Sequence, residues 1–292
     1  MCKMQAFFEL ARDENTAFCC EKSTNNECQP HFHSNIEIAF VIKGGFEATI
    51  SGQTALLRPG DLSVASSYEV HHYRTPKESE IVLLIIPTNL VSRFNLLAQH
   101  SVFKTPFLIG SRRSDAIYEA IRRLEEFNGT NDSIIVKGYL YAILGYLIEQ
   151  LGLRDYSGSA SDLGPVRDIL MYIEEHYLEP LTVTQLAAHF GYNKYYFSRL
   201  FNRTLGCGFN HYVNTIRARH AASLIHNSDL SITEIGFASG FNNARTFARA
   251  FQTLYGVTAL EYKKGRIPPS DMDREIIKFR ALKEDTASDK KQ

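Results

Sequence analysis

The sequence predicts a two-domain α+β chain: an antiparallel β-barrel with a helical pair behind it, then an all-α domain. Three observations carry this. Residues 16–87 alternate short apolar runs with turn residues at intervals of roughly eight. From about residue 112 the apolar residues recur at helical spacing. After Pro165 the chain repeats itself at an offset of 49 to 50 residues. A chain of 292 residues is long enough for two cores.

The runs of the first part are IEIAFVIKGG, FEATISGQ, ALLRPGDLSVAS and EIVLLIIP, with turns at Gly44-Gly45, Ser51-Gly52 and Pro59-Gly60-Asp61. Ile81–Ile86 is the most hydrophobic stretch and ends at Pro87. It is far short of the ~20 residues a bilayer span needs and reads as a buried strand. No long apolar run is expected elsewhere. The first residues, MCKMQAFFELARDEN, are acidic and lack a long apolar core, so no signal peptide is expected. These readings place the chain in the cytoplasm, away from membranes. The five cysteines, Cys2, Cys19, Cys20, Cys28 and Cys207, form no CxxC pair and read as free thiols.

Within the barrel stands His31-x-His33-x3-Glu37-x6-Gly44, followed by Pro59-Gly60-Asp61 and His71. On one strand His31, His33 and Glu37 would share a face, with His71 approaching from a neighbouring strand and His72 pointing elsewhere. Three imidazoles and a carboxylate suit a borderline divalent metal. This stretch resembles the cupin barrel and its two metal-binding motifs. Two readings stay open: a divalent metal held by His31, His33, Glu37 and His71, or the same residues lining an effector pocket. Phe32, Phe40, Phe46, Tyr68 and Tyr73 would stack on a sugar or fill the barrel core.

Two helices follow. Ser114 can cap the first, which places Ile117, Ala120, Ile121 and Leu124 on one face. The second, from about Ser133 to Leu151, is apolar nearly all round. Val136, Leu140, Ile143, Leu144, Leu147 and Leu151 lie on one side, Ile135, Tyr139, Ala142 and Tyr146 on another. Such a helix is buried on both faces, in its own core or against a second copy. Residues 152–164 are small and polar and read as a linker. The expected boundaries are therefore 1–110 for the barrel, 111–151 for a helical dimerisation segment, 165–265 for the helical domain and 266–292 for a charged tail.

The repeat aligns LTVTQLAAHFGYN (181–193) with LSITEIGFASGFN (230–242). Each copy opens on a capping box, Thr182 with Gln185 and Ser231 with Glu234. Each then carries a short helix, a turn glycine (Gly191, Gly240), an aromatic and an asparagine placed to cap the next helix (Asn193, Asn242). In the following helices Phe197-x-Arg199-x-Phe201 matches Phe247-x-Arg249-x-Phe251. The phenylalanines anchor the core. Lys194, Tyr195, Ser198, Arg199 and Asn202 face out in the first copy. Asn243, Ala244, Arg245, Ala248, Arg249 and Gln252 face out in the second. Small residues permit close approach to a major groove, and arginine reads guanine or holds phosphate.

Residues 166–264 resemble the DNA-binding domain of the AraC/XylS family of transcription regulators. The resemblance implies two helix-turn-helix units joined by a long helix, here about Phe209 to Asn227. It also implies recognition helices set about one DNA turn, roughly 34 Å, apart. Carried over, Tyr195, Ser198 and Arg199, and Ala244, Arg245 and Arg249, are base-edge candidates. The same resemblance assigns Lys194 and Arg203 to phosphate contacts. Two departures stand out. Thr258-Ala259 replaces the usual Ser/Thr-Pro and is expected to loosen a turn; Lys263 replaces an arginine.

The formal net charge is zero, 32 basic against 32 acidic residues. Residues 190–260 nevertheless carry seven Lys/Arg against two acids, a net of +5, which leaves −5 in the remainder. The average thus conceals a basic module beside an acidic one. The leading reading is a one-component regulator that activates transcription. It senses a small molecule, a sugar or related metabolite, and binds double-stranded promoter DNA as a homodimer. RNA polymerase is a partner implied by the family. The alternatives are a cupin metalloenzyme fused to a DNA-binding domain, and a constitutive regulator whose barrel only dimerises. No substrate or general base is recognisable, so no enzyme activity is expected.

Overall fold

The computed structural model describes residues 6–9, 12, 17–98, 101–110, 114–127, 133–156 and 165–265. The Ser114 side chain, most of the expected linker (157–164), Cys2 and the tail from residue 266 lie outside the described residues. The chain divides into two compact units. One holds everything up to Tyr172 together with Val183–Gly208; the other holds Ile173–Thr182 together with Phe209 onward.

The first unit is built on twelve strands among the described residues: β1 (Phe7–Phe8), β2 (Cys19–Thr24), β3 (Cys28–Phe32), β4 (Ile36–Gly44), β5 (Phe46–Ile50), β6 (Gln53–Leu57), β7 (Leu62–Ala65), β8 (His71–Arg74), β9 (Ser79–Ile86), β10 (Ser101–Phe103), β11 (Phe107–Leu108) and β12 (Leu153–Asp155). Two five-stranded sheets, ordered β1-β3-β8-β5-β6 and β11-β7-β4-β9-β2, form the cupin-like barrel. All pairings are antiparallel except β1 with β3.

Strand alternation decides what each face does. On β4 and β9, Ile36, Ile38, Phe40, Val82, Leu84 and Ile86 belong to one core. Ala39, Val41, Ile81, Leu83 and Ile85 belong to another, shared with Phe46, Ala48, Leu57 and Tyr73 of the facing sheet. This second core is the barrel interior. Both faces are buried, which is why EIVLLIIP is apolar without alternation.

The outer core is closed by helices. A 3-10 turn (Thr88–Val91) leads into α1 (Ser92–Ala98), followed by α2 (Ser114–Glu125) and α3 (Ile134–Leu151). Ile117, Ala120, Ile121 and Leu124 are all buried, as their spacing predicts. Ser133 caps α3 by accepting from Ile135 N at 3.2 Å.

Only one face of α3 is buried within the chain, through Val136, Leu140, Ile143, Leu144, Leu147 and Leu151. Ile134 (87%) and Ile135 (53%) are exposed, because nothing among the described residues covers that side. The expectation of no long apolar run needs correcting too. Ile134–Leu151 has a mean hydropathy of 1.3 and is long and apolar enough to cross a membrane by length and composition. Its repeated contacts with α2 and the sheet are those of a core helix.

The linker expectation is also corrected. Leu153–Asp155 is a strand, paired with Phe103–Ser101. Its backbone groups bond back to β10, so the polar segment starts later than residue 152.

The helical region contains α4 (Pro165–His176), α5 (Val183–His189), α6 (Lys194–Leu205), α7 (Phe209–Asn227), α8 (Ile232–Ala238), α9 (Ala244–Tyr255) and α10 (Ala259–Lys263). The joining helix has the expected bounds. In the second unit Gly236 sits inside α8 because a Cβ there would stand 2.7 Å from the Phe247 ring. The missing side chain lets α8 and α9 cross closely. Thr258 caps α10 through a capping box with Glu261. Ala259 in place of proline therefore leaves the turn capped rather than loosened.

Candidate functional site

Two groups of residues are singled out by their chemistry: a buried cluster in the barrel and the exposed faces of α6 and α9.

His31, His33, Glu37 and His71 are all buried, and one ligand atom from each lies within 4.8 Å of the others. The route to this cluster differs from the one-strand expectation. His31 is the last residue but one of β3, His33 lies in the turn after it, and Glu37 is on β4 in the opposite sheet. His71 pairs directly with His31 across β3 and β8. His72 points away and is half-buried, as strand parity requires.

Backbone carbonyls fix the three rings. His31 Nδ1–H donates to Gln29 O at 2.9 Å, His33 Nδ1–H to Asn35 O at 3.2 Å and His71 Nδ1–H to Glu69 O at 2.8 Å. A carbonyl only accepts, so each ring turns its Nε2 inward. His33 Nε2 lies 3.1 Å and His71 Nε2 3.7 Å from the two Glu37 oxygens. His31 Nε2 lies 3.4 Å from Glu9 Oε2.

The electrostatics follow from this packing. Burial works against the Glu37 charge, but the His33 and His71 imidazoles outweigh it and hold the carboxyl well below its usual range. Burial works against the His71 cation, but Glu37 outweighs it and raises the pKa. His31 is pushed down to about 3 by burial and by the charge of His71.

The residues fit a divalent metal. Buried His71 Nε2 has no hydrogen bond within 3.5 Å, its nearest carboxylate being Glu37 Oε1 at 3.7 Å. Orphaned buried atoms of this kind are rare unless a ligand or ion satisfies them. Carbonyl-anchored imidazoles are also the usual outer support of a metal site. His31, His33, His71 and Glu37 would hold the ion, which when bound would act as a Lewis acid on an oxygen ligand.

Beside the cluster lies a cavity of about 230 Å³. His31 and Glu37 line it; His33 and His71 are not among its wall residues, which narrows the expected pocket set. Sequence reasoning missed Glu9, Arg12 and Cys28 in its wall, and Tyr73 was read only as an aromatic. Tyr73 was detectable, since it follows His71 by two positions on one strand face. Glu9 and Arg12 lie outside the strand pattern and carry no such signal. Burial pushes the Cys28 thiol up to about 12, so it stays protonated and unreactive.

The α6 and α9 helices repeat each other in detail. Asn193 accepts from Tyr196 N, and Asn243 accepts from Thr246 N, both at 2.8 Å. Gly206 and Gly256 close the helices in the left-handed conformation. Phe197, Phe201, Phe247 and Phe251 are buried. Lys194, Tyr195, Arg199, Arg203, Ala244, Arg245 and Arg249 are exposed, with Tyr195 81% exposed; Ser198 is half-buried.

The second cap is Asn243 rather than Asn242. One extra residue separates Gly240 from α9, so the repeat offset moves from 49 to 50 at this point. The Asn243 side-chain oxygen is committed to that cap, which removes it as a free base-reading acceptor.

The comparisons agree with this geometry. Residues 22–87 match the cupin domain, and residues 186–265 match a helix-turn-helix domain. The Msm operon regulatory protein of Streptococcus mutans is 24% identical over 262 residues, 88% of this chain and 93% of the relative. An uncharacterized HTH-type transcriptional regulator of Staphylococcus aureus strain COL is 24% identical over 80% of this chain. This chain spans about a third (32%) of that relative's length. Among solved structures, the C-terminal domain of AraT from Geobacillus stearothermophilus is 30% identical over 36% of this chain and 88% of that one, with a TM-score of 0.33. ToxT of Vibrio cholerae, solved with an unsaturated fatty acid bound, is 13% identical over 85% of this chain and 95% of that one, with a TM-score of 0.39.

Cupin barrel and duplicated helix-turn-helix together define a class, that of one-chain transcription regulators. Its helix-turn-helix and cupin domains are those of AraC-type transcription regulators.

Proposed function

We propose that the protein is an effector-responsive transcription activator that reads promoter DNA with α6 and α9. One observation carries this reading: two helices with matching asparagine caps, glycine ends and buried phenylalanines both present arginines to solvent. Tyr195, Ser198, Arg199, Ala244, Arg245 and Arg249 meet base edges, while Lys194 and Arg203 hold phosphate. Asn243 supports this face as its cap.

The barrel takes a small molecule, a sugar or related metabolite, in the 230 Å³ cavity. Glu9, Arg12, Asn26 and Glu37 offer planar polar groups to hydroxyls, and Phe7 offers a ring face. Effector acts by favouring one arrangement of the protein over another. The exposed side of α3 joins a second copy as a homodimer, and RNA polymerase is the further partner at the promoter. The protein acts in the cytoplasm. On this reading residues 1–110 sense, 111–151 dimerise and 165–265 bind DNA.

Electrophoretic shift over genomic fragments tests the reading. Binding by the wild type, lost in the Arg199→Ala/Arg245→Ala double variant, is expected; undiminished binding by that variant removes the assignment. A thermal-shift screen of sugars separates a sensor from a constitutive regulator, which no ligand would stabilise.

The histidine cluster favours a second reading, a cupin metalloenzyme attached to the DNA-binding module. That reading requires stoichiometric metal after metal-replete expression and an activity lost in His33→Ala. Metal-free protein by elemental analysis would exclude it.

A further inference from the structure

Arg217 lies near the middle of α7 and is buried, 8% exposed. Its Nε donates to Tyr177 O at 2.7 Å, and its Nη2 donates to Glu179 O at 2.7 Å. Those two carbonyls belong to the loop that leaves α4. A buried guanidinium is tolerated only where its donors are satisfied, and bonds from a charged donor are strong. Two neighbours reinforce the contact. Arg219 Nη2 lies 3.4 Å from Glu174 Oε1, and the His220 ring stands edge-on to Tyr177 at 5.6 Å.

The same loop presses on the turn of the second helix-turn-helix. Gly240, with φ +84°, occupies that turn. A Cβ there would stand 2.9 Å from Leu178 Cα, 2.9 Å from Tyr177 O and 3.0 Å from Arg217 Nε. Turn, loop and guanidinium therefore meet with no room for a methyl group. α9 starts at Ala244, four positions after Gly240, and α8 is held to it by the Gly236–Phe247 contact.

We propose that Arg217 and Gly240 are positioning residues for the second recognition helix. Arg217 fixes the 177–179 loop, the loop seats the Gly240 turn, and the turn sets the aim of Arg245 and Arg249. None of this requires Arg217 to touch DNA. The inference rests on the reading of α9 as a base-reading helix.

The test is selection of binding sequences from a random double-stranded DNA library by full-length protein, run for the wild type, Arg217→Met, Gly240→Ala, Arg245→Ala and Arg199→Ala. Arg245→Ala marks the positions that α9 reads. Arg217→Met and Gly240→Ala are expected to lose about tenfold in discrimination at those positions while keeping it at the positions altered by Arg199→Ala. A change in folded fraction alone lowers binding without changing the sequence profile. Where Arg217→Met does not fold, Arg217→Lys, which can keep one of the two bonds, is used with the same criterion. An unchanged profile, or an equal loss at both sets of positions, overturns the proposal. If Arg245→Ala itself leaves the profile unchanged, the base-reading assignment fails instead.

Discussion

His33 Nε2 stands 3.1 Å from Glu37 Oε2, while the same ring's Nδ1 stands 3.2 Å from Asn35 O. The imidazole is thus held between two acceptors. The neighbouring His71 ring is drawn toward its protonated form by Glu37. Loading a divalent ion should therefore release protons. Zinc titrations by calorimetry in buffers of different ionisation enthalpy should give different apparent heats. Identical heats in every buffer would show that no proton leaves.

His31 makes a pH-dependent contribution of defined sign. Its folded pKa is depressed to about 3 by burial and by His71, against an unfolded value of ~6.5. A depressed pKa means the unfolded chain binds the extra proton first. The stability that depends on neutral His31 is therefore present above about pH 6.5 and lost as pH falls toward 3. The metal-free His31→Gln variant should lose stability less steeply over that window in urea melts. His71, whose pKa is raised, contributes with the opposite sign, and its contribution fades as pH rises above its unfolded value.

The cap at α9 gives a paired prediction. Asn243→Ala removes the acceptor of Thr246 N and should cost roughly 0.5–2 kcal/mol. Asn242→Ala, one residue earlier and exposed, should stay within about 0.5 kcal/mol of the wild type. Equal losses in denaturant melts would refute the assignment of Asn243 as the cap.

Gly236→Ala places a methyl group 2.7 Å from the Phe247 ring. Overpacking of this kind costs about 1–3 kcal/mol. A drop in Tm is expected, partly relieved by the companion change Phe247→Leu. A Tm unchanged by Gly236→Ala would show that α8 and α9 separate without strain.

The uncovered side of α3 should hold the oligomer. Ile135→Glu places a charge on that side without touching the buried face led by Val136 and Leu140. Sedimentation velocity should show a dimer for the wild type and a monomer for this variant. A variant that stays dimeric would move the interface elsewhere.

Much of this was legible in the sequence where a pattern repeats. The second helix-turn-helix could be read down to Ser231 with Glu234, because a capping box is a local device. The cap at Asn243 was misplaced by one residue, because two adjacent asparagines are equivalent until the extra turn residue is seen. The four metal-type residues were identified, but their route was not. His33 occupies a turn, and Glu37 reaches the cluster from the facing sheet, which no single-strand parity could reveal. Arg12 and Glu9 enter the cavity wall by tertiary placement alone. Leu153–Asp155 looked like linker because its partner, Ser101–Phe103, lies 50 residues away.

β4 and β9 carry a final consequence. Odd positions such as Glu37, Ala39 and Leu83 face the barrel interior; even ones such as Ile38, Phe40 and Leu84 face the helices. Deleting a single residue early in β4 would turn its sides over, swapping chemistry for adhesion. Substitution at alternate positions can instead retune what the barrel holds while the helix-docking side stays as it is. The strand is a two-sided board, on which ligand preference and assembly can evolve separately although they share one backbone.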